Sequence, residues 1–223
     1  IKYMINYFYL ALDSYNYIVQ YSYYLNYLRD VCMKRFIAVD GVDGSGKDTQ
    51  AKLIKEKYEK EGTVVVRSHP TSDNFFGRTS KSCLQKEGKL NFIIATLCYG
   101  ADAIRSVIKY YNKADTVILV RYTLAVSYLP PIVGLPLYKL VCFALPVSDY
   151  MFYLDISPEE SLRRVKSRGE AEEMFENYES YVKVRNKAQP VLYNWNVIQA
   201  DGTVEEVFSR IETVLDDLDG HQE

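Results

Sequence analysis

A glycine-rich segment with one lysine is the part of this 223-residue sequence whose residue types and spacing point most directly to chemistry. Residues 41–50 read GVDGSGKDTQ, which satisfies the pattern G-x-x-x-x-G-K. In such a loop the backbone N–H groups face an anion, the following helix adds its positive end, and the lysine neutralises the outer phosphates. The segment therefore predicts a phosphate-binding site. The residues expected there are Gly41, Asp43, Gly44, Ser45, Gly46, Lys47, Asp48 and Thr49.

Asp48 departs from the usual form of this motif. The position after the lysine is normally Ser or Thr, whose hydroxyl binds Mg²⁺. An aspartate can bind the metal directly, yet it also places negative charge beside a polyphosphate. Two interpretations follow: Asp48 is a magnesium ligand, or it only complements the positive end of the first helical turn.

A strand must precede this loop and a helix must follow it. Residues 36–40 form a short apolar run, and residues 49–60 show helical spacing. The same alternation continues along the chain, which indicates a parallel sheet with helices on both faces. We therefore expect a three-layer α/β fold of the P-loop NTPase type with about five strands. Further strands are predicted at 63–67, 116–120, 150–155 and 196–200, and further helices at 90–111, 158–167, 172–192 and 204–218.

One stretch, residues 129–148, does not fit the alternation of strands and helices. It holds four of the seven prolines of the chain and is otherwise strongly apolar. Because proline interrupts regular backbone hydrogen bonding, we expect a packed loop with a short helix there.

Composition excludes several classes of protein. Hydrophobic residues make up 48% and charged residues 25%, which is typical of neither disordered nor fibrous chains. A formal charge of −2 leaves no bulk positive field for nucleic acid. The four cysteines are far apart and there are two histidines, so neither a zinc or redox Cys pair nor a histidine-rich metal centre is expected. This pattern predicts a cytoplasmic protein that has no nucleic-acid partner.

Residues 1–32 differ from the rest of the chain by an excess of tyrosine. Nine of the 21 tyrosines fall within the first thirty residues. Polar residues interrupt the apolar positions, so no run approaches the roughly 18 residues needed to span a bilayer, and a signal-peptide pattern is missing. We expect either a helical appendage or a non-native leader, no membrane contact, and a P-loop domain over 33–223.

From Met33 to Leu218 the sequence resembles the thymidylate kinase family of P-loop nucleoside monophosphate kinases. The phosphate-loop segment D-G-S-G-K-x-T-Q is the most specific match. Weaker matches follow in the same order as in the family. They are the second-strand segment 65–70 with Gly77, the helical segment 97–102, and residues 120–122, which stand where the family has D-R-Y. Residues 153–159 match Y-L-D-x-x-P-E, and residues 164–176 resemble the lid.

The resemblance implies ATP-dependent phosphoryl transfer to a nucleoside monophosphate, formally dTMP, with Mg²⁺ as cofactor. Lys47 would hold the donor phosphates, Asp43 would approach the acceptor sugar, and Arg121 would bind the acceptor phosphate. Some members carry a catalytic arginine in the phosphate loop, at the position of Gly44 here. The arginine that stabilises the transition state should then come from the lid, about residues 164–175. Its candidates are Arg164 and Arg168, although a basic run such as 163–168 more commonly forms a solvated helix face. Members are usually dimers, and the apolar helix 90–111 could supply the interface of a homodimer.

The acceptor half departs from the family pattern. Val120 replaces the aspartate of D-R-Y, and Asp102 and Ala103 stand where a base-reading arginine is expected. A further phosphate-binding arginine is replaced by Ser72. Residues that could compensate for it are Arg67, Arg78 and Lys81.

Residues expected to contact the acceptor are Asp43, His69, Arg78, Tyr99 and Arg121. Because lost hydrogen bonds change specificity strongly, two alternatives stay open. The protein is a kinase for another nucleotide or phosphorylated small molecule, or it binds nucleotides with little catalysis.

Overall fold

The computed structural model of the protein describes residues 35–129, 131–167 and 178–220. It contains a five-stranded sheet in the order β2-β3-β1-β4-β5, and every neighbouring pair is parallel. This confirms the predicted parallel sheet. The strands are β1 (Arg35–Asp40), β2 (Val64–Ser68), β3 (Thr116–Val120), β4 (Met151–Asp155) and β5 (Asn196–Gln199).

Helices connect successive strands, as parallel pairing requires. They are α1 (Lys47–Tyr58), α2 (Phe75–Leu84), α3 (Lys89–Tyr110), α4 (Pro131–Ala144), α5 (Pro158–Ser167), α6 (Tyr178–Ala188) and α7 (Val204–Gly220), with 3₁₀ turns at Leu124–Tyr128 and Gln189–Asn194. Helix α2 was not predicted. The Tyr-rich segment 1–32 and most of the lid, including Arg168, lie outside the described residues.

Two helices differ from their sequence expectations because of where their prolines stand. The proline-rich stretch 129–148 forms the full helix α4 and not a packed loop with a short helix. Pro131 occupies the first position of α4, where a missing N–H costs nothing, and Pro136 is the one proline inside it. The helix expected over 172–192 gives way at residue 189 to a 3₁₀ turn with a proline at its start.

The sheet is buried on both faces because its side chains alternate between two cores. Ile37 and Val39 of β1 point into a core that includes Ile54 of α1 and Ile211 of α7. Neighbouring side chains of the same strand, such as Ala38, point into the other core, to which α3 and α4 contribute. The result is the expected helix–sheet–helix arrangement.

One edge of the sheet collects the loops that matter for function. Since all strands are parallel, their carboxyl ends share an edge, which is where ligands bind in such sheets. The loops after β1, β2 and β3 emerge there side by side. His69 N–H donates to the Val120 carbonyl (3.0 Å) and Arg121 N–H to the Val39 carbonyl (3.1 Å), so pairing continues past the strand ends.

The opposite edge is fixed by the carboxylate of Asp219 near the end of α7. It accepts hydrogen bonds from Arg35 Nε at 2.7 Å, from the Tyr58 hydroxyl at 2.9 Å and from the Tyr150 hydroxyl at 2.8 Å. The Arg35 guanidinium also lies 4.0 Å from the centre of the Tyr58 ring. These contacts tie the start of β1 to the last helix.

Candidate active site

The phosphate loop has the geometry that its sequence predicts. It links β1 to α1, and Gly46, in the left-handed conformation (φ 88°), caps α1 without a side-chain hydrogen bond. The amides of the first helical turn can therefore face an anion. The side chain of Lys47 is 3% exposed, and its Nζ donates to the Val42 carbonyl at 3.0 Å and to Asp43 Oδ1 at 2.9 Å. Ser45 is buried in the loop, whereas Thr49 is exposed on α1.

A buried carboxylate, Asp40, joins this loop to the segment after β3. Its two oxygens accept the backbone N–H groups of Gly41 (2.9 Å) and Tyr122 (3.0 Å). Burial raises the pKa of Asp40, and these two hydrogen bonds offset part of that rise. The sequence did not lead us to this residue, although an acidic side chain at the end of an apolar strand indicates a role at the site.

Four charged side chains meet at the mouth of the loop, and we call Asp43, Lys47, Asp48 and Arg121 the Arg121 cluster. Asp43 Oδ1 binds both cations, with Arg121 Nη2 at 3.0 Å. Arg121 Nη1 lies 3.2 Å from Asp48 Oδ2. The structure thus brings together the predicted donor-side lysine and the predicted acceptor-side arginine through one carboxylate.

The electrostatics of the cluster favour the charged forms of Asp43 and Arg121 and act against that of Lys47. Burial opposes ionisation of Asp43, but Lys47 and Arg121 outweigh that effect, so its pKa lies well below the ordinary range. Burial, together with repulsion from Arg121, lowers the pKa of Lys47. The pKa of Arg121 is raised because Asp43 and Asp48 outweigh its burial. Two cations and two carboxylates therefore neutralise one another.

The backbone of Arg121 is in an unusual conformation that its neighbours maintain. Its φ is 58°, which non-glycine residues rarely adopt. Its carbonyl accepts a hydrogen bond from the Tyr99 hydroxyl on α3. Tyr99 was expected to contact the acceptor, and the structure places it directly beside the arginine expected to bind the acceptor phosphate.

His69 lies behind the site. Its ring is 1% exposed, with Nε2 2.9 Å from the Ser106 hydroxyl and Nδ1 3.3 Å from the Val120 carbonyl. Burial lowers the pKa of the ring. This differs from the expected direct contact with the acceptor, because both ring nitrogens already have protein partners.

Asp102 is a structural residue and does not face an open pocket. It is buried on α3 and accepts hydrogen bonds from the Thr71 N–H at 2.6 Å and from Asn74 Nδ2 at 2.6 Å. Asp102 Oδ1, which binds Asn74, also accepts a hydrogen bond from the Thr71 hydroxyl at 2.8 Å. The carboxylate thus holds the loop after β2 against α3.

The cations that could replace the missing phosphate-binding arginine are placed differently from one another. Arg67 is paired with Asp73 at 2.8 Å and lies over the Tyr110 ring. Arg78 is exposed on α2, and its Nη1 is 3.3 Å from the Ser72 carbonyl. Lys81 is also exposed on α2, and its Nζ donates to the Ser72 hydroxyl at 2.7 Å. Arg78 and Lys81 are therefore better placed than Arg67 to meet an acceptor.

Arg164 is the lid candidate that the structure describes. Its guanidinium bonds Glu160 at 2.7 Å and reaches the carbonyls of Gly44 (3.4 Å) and Gly202 (3.0 Å). Hydrogen bonds from Arg163 and Arg164 lower the pKa of Glu160 to about 2. An open cavity adjoins this group. It is lined by Ser157, Glu159, Glu160, Arg163, Asp201 and Gly202.

Gly44 could not be an arginine in this structure. Its φ is 83°, and a Cβ atom there would lie 2.6 Å from the Ser161 carbonyl oxygen. The Ser161 hydroxyl also donates to the Asp43 carbonyl. Because α5 packs this closely on the loop, a side chain at position 44 would be strained and would clash.

Asp48 is the open carboxylate of the site. It is 51% exposed in the first turn of α1, and the Ser68 hydroxyl donates to its Oδ1 at 2.6 Å. Within residues 35–129, 131–167 and 178–220, no three His, Cys, Asp or Glu side chains converge on a point. Mg²⁺ sites commonly combine one or two carboxylates with phosphate oxygens and waters, and Asp48 is an exposed carboxylate beside the phosphate loop.

Comparison with known proteins agrees with this geometry. A family model described as thymidylate kinase matches residues 39–211. A probable thymidylate kinase of Pyrococcus abyssi is 31% identical over 195 residues, covering 81% of this chain and 95% of the relative. A thymidylate kinase of Caldicellulosiruptor saccharolyticus is 31% identical over 200 residues, covering 82% and 97%.

A solved structure supports the fold assignment independently. The thymidylate kinase of Candida albicans superposes with a TM-score of 0.67 at 17% identity, covering 85% of this chain and 94% of that one. The shared architecture, the phosphate loop and the length of the sequence match lead to one assignment. The chain belongs to the thymidylate kinase family.

Proposed function

We propose that the protein transfers the γ-phosphoryl group of ATP to dTMP, giving dTDP and ADP. The observation that carries this proposal is the meeting of Lys47 and Arg121 on the carboxylate of Asp43, 2.9 and 3.0 Å away. Phosphoryl transfer needs two anionic substrates positioned by cations close to one another. A single phosphate-binding loop would supply one of these cations, whereas this site supplies both.

The proposed roles follow from where each cation lies. Lys47 and the amides of the loop bind the donor phosphates, and Arg121 binds the acceptor phosphate with its planar guanidinium. Tyr99 and Arg78 line the acceptor side, while His69 supports it from behind. The catalytic arginine comes from the lid segment, because the tight packing at Gly44 leaves no room for one in the phosphate loop.

The residues present fit a magnesium ion that arrives with ATP. Asp48 offers an exposed carboxylate beside the phosphate loop, and Mg²⁺ commonly uses one or two protein carboxylates together with substrate phosphates. When bound, the ion neutralises charge on the donor phosphates. We propose Asp48 as its protein ligand, in place of the usual hydroxyl.

The test is a panel of nucleoside monophosphates incubated with ATP and Mg²⁺, with ADP and the phosphorylated product both measured. Turnover that is highest with dTMP would support the proposal. Preference for another monophosphate would mean that the acceptor is not dTMP, a result that the departures from the family pattern at Val120 and Ala103 allow. Tight ATP binding without transfer to any acceptor would leave a nucleotide-binding protein, and would contradict the proposed kinase activity.

We also propose that the chain forms a homodimer through α3. Large apolar side chains repeat at helical spacing along its exposed face, and two of them, Leu97 and Ile108, are 69% and 76% exposed. The stripe consists of Leu90, Ile93, Leu97, Ile104 and Ile108. Within the described residues, α3 is also the one helix that is long and apolar enough to span a membrane, and 28% of its most apolar 18 residues are buried.

The oligomeric state distinguishes a dimer interface at this stripe from contact of the stripe with a membrane. The wild-type protein should sediment as a dimer at micromolar concentration, and the double variant Leu97→Glu with Ile108→Glu should sediment as a monomer. Glu56→Gln on α1 lies outside the stripe and serves as a control for the effects of mutagenesis and purification. A wild-type monomer that binds neutral phosphatidylcholine vesicles would contradict the dimer.

A further inference from the structure

Asp48 is positioned to act on both substrates, although it belongs to the donor side of the site. Its Oδ2 lies 3.2 Å from Arg121 Nη1, and its Oδ1 accepts the Ser68 hydroxyl at 2.6 Å. Ser68 ends β2, and its hydroxyl is also 3.3 Å from Arg121 Nη1. A residue of the helix that follows the donor loop therefore pairs with the arginine proposed to bind the acceptor.

Arg121 is held on two sides by carboxylates. Asp43 binds Nη2 at 3.0 Å and Asp48 binds Nη1, so both ends of the guanidinium fork are occupied. An acceptor phosphate needs the same donors. The phosphate must then compete with two carboxylates, and its binding is weakened by the cost of separating at least one of them.

The two contacts differ in how readily they can be broken. Asp43 is 19% exposed and is also held by the buried Lys47, whereas Asp48 is 51% exposed. Asp48 is thus the partner that can leave, since water and a metal ion can reach it. A magnesium ion that uses the Asp48 carboxylate would withdraw its negative charge from Arg121.

We propose that Asp48 couples the two binding sites: binding of the magnesium–nucleotide donor draws Asp48 away from Arg121 and frees that arginine for the acceptor phosphate. This inference rests on the proposed function, because it requires ATP-type and dTMP-type ligands at one site. A hydroxyl at position 48, which is uncharged, could not hold Arg121 in this way. The coupling is therefore a consequence of the aspartate in this sequence.

Such coupling is a binding equilibrium and must be reciprocal. Mg²⁺ with a non-hydrolysable ATP analogue should raise the affinity for dTMP, and dTMP should raise the affinity for the magnesium–analogue complex by the same factor. Allosteric couplings of this kind are typically about 5- to 150-fold. The analogue without Mg²⁺ should raise the dTMP affinity much less, because nothing then competes for Asp48.

The experiment measures the dissociation constant of dTMP by titration calorimetry in three conditions: protein alone, with the saturating imido analogue of ATP plus Mg²⁺, and with the analogue plus EDTA. The same series is run with Asp48→Asn and Glu56→Gln. Both variants remove one negative charge from the exposed face of α1, but Glu56 lies two turns away from the site. Calorimetry without turnover keeps this readout separate from catalytic activity.

In wild type and Glu56→Gln, the magnesium–analogue complex should tighten dTMP binding by the same factor. In Asp48→Asn, dTMP should bind more tightly to the protein alone, and the coupling factor should fall towards one. Equal coupling in Asp48→Asn and wild type would overturn the inference. So would independent binding of both ligands to wild type, which leaves the proposed function intact. Failure of wild type to bind either nucleotide would overturn both.

Discussion

The hydroxyl of Tyr99 donates a hydrogen bond to the backbone carbonyl of Arg121, a residue whose φ of 58° is left-handed. A left-handed backbone costs a non-glycine residue about 1–2 kcal/mol. The surrounding contacts must supply that energy: the Arg121 N–H donates to Val39, and the next N–H, of Tyr122, donates to Asp40. The direction of the Arg121 side chain is thus set by its backbone as well as by its ion pairs.

Replacement of Arg121 should act chiefly on the acceptor. Arg121→Ala should raise the KM for dTMP by about 10- to 100-fold, the range for one or two lost hydrogen bonds between charged groups, with a smaller change in kcat. Arg121→Lys keeps the charge but loses the planar fork, and should lie between alanine and wild type. Steady-state kinetics with varied dTMP would measure this. An unchanged KM for dTMP in Arg121→Ala would contradict the assignment.

Lys47→Ala should abolish measurable ATP binding while the protein remains folded. Breaking a buried ion pair commonly costs about 3–5 kcal/mol, but here Arg121 still neutralises Asp43, so the loss of unfolding free energy should be smaller. Titration calorimetry with ATP and urea denaturation would measure the two effects. Unchanged ATP affinity would remove the phosphate-loop assignment.

The two lid arginines should differ in their kinetic effects. Arg164 already bonds Glu160 and the carbonyls of Gly44 and Gly202, so Arg164→Ala should raise the KM for ATP and loosen the phosphate loop. Arg168→Ala should lower kcat by about a thousandfold or more, as expected for a catalytic arginine. Normal kcat in both variants would mean that the lid does not supply the transition-state arginine.

The hydrogen bonds of Asp219 should make the free energy of unfolding depend on pH in the acidic range. Three hydrogen bonds outweigh the effect of burial and lower the pKa of Asp219, so the carboxylate stabilises the fold above its unfolded pKa of about 3.9 and that contribution disappears as pH falls through the lower folded value. Asp219→Asn should cost about 1–3 kcal/mol at pH 7. The cost should shrink once the pH falls below about 3.9.

Asp216→Asn is the matched control for this anchor, one turn earlier on α7. Asp216 pairs with Lys57 and is 61% exposed, so its loss should cost about 1 kcal/mol or less. Urea unfolding of both variants across pH 2–7 would compare them. Equal costs at pH 7 would show that Asp219 is no anchor.

Removal of residues 1–32 should leave a folded domain that binds nucleotides. The first strand starts at Arg35, whose side chain is fixed by Asp219 and Glu61, so the anchor does not need the preceding segment. Circular dichroism and ATP titration of a chain that starts at Met33 would test this. An insoluble product would mean that the Tyr-rich segment covers apolar surface.

The parts of the fold that follow from local pattern were predictable from the sequence. Every strand of the sheet was placed to within one or two residues, because apolar runs between helices indicate buried parallel strands. Helix α2 was missed because Gly77 and several polar residues obscure its pattern. Helix α4 was underestimated because its prolines stand where a helix tolerates them.

The candidate site was predictable only where one motif fixes the geometry. Spacing alone placed Lys47 at a phosphate loop, but neither Asp40 nor the pairing of Asp48 with Arg121 is a local property, since each joins segments more than seventy residues apart. His69 is a similar case, because a sequence does not tell whether an isolated ring faces a ligand or the core. The roles of the site residues, the domain limits and the cytoplasmic location stay predictions.

The close packing of Gly44 on Ser161 also limits how this enzyme could be redesigned. Since a Cβ at position 44 would lie 2.6 Å from the Ser161 carbonyl, an arginine could enter the phosphate loop only if α5 moved outward at the same time. The same helix carries Arg164, so that movement would disturb the lid side of the site. A variant with an arginine in the phosphate loop would therefore require coordinated substitutions in two segments, and Gly44→Arg alone should be destabilising.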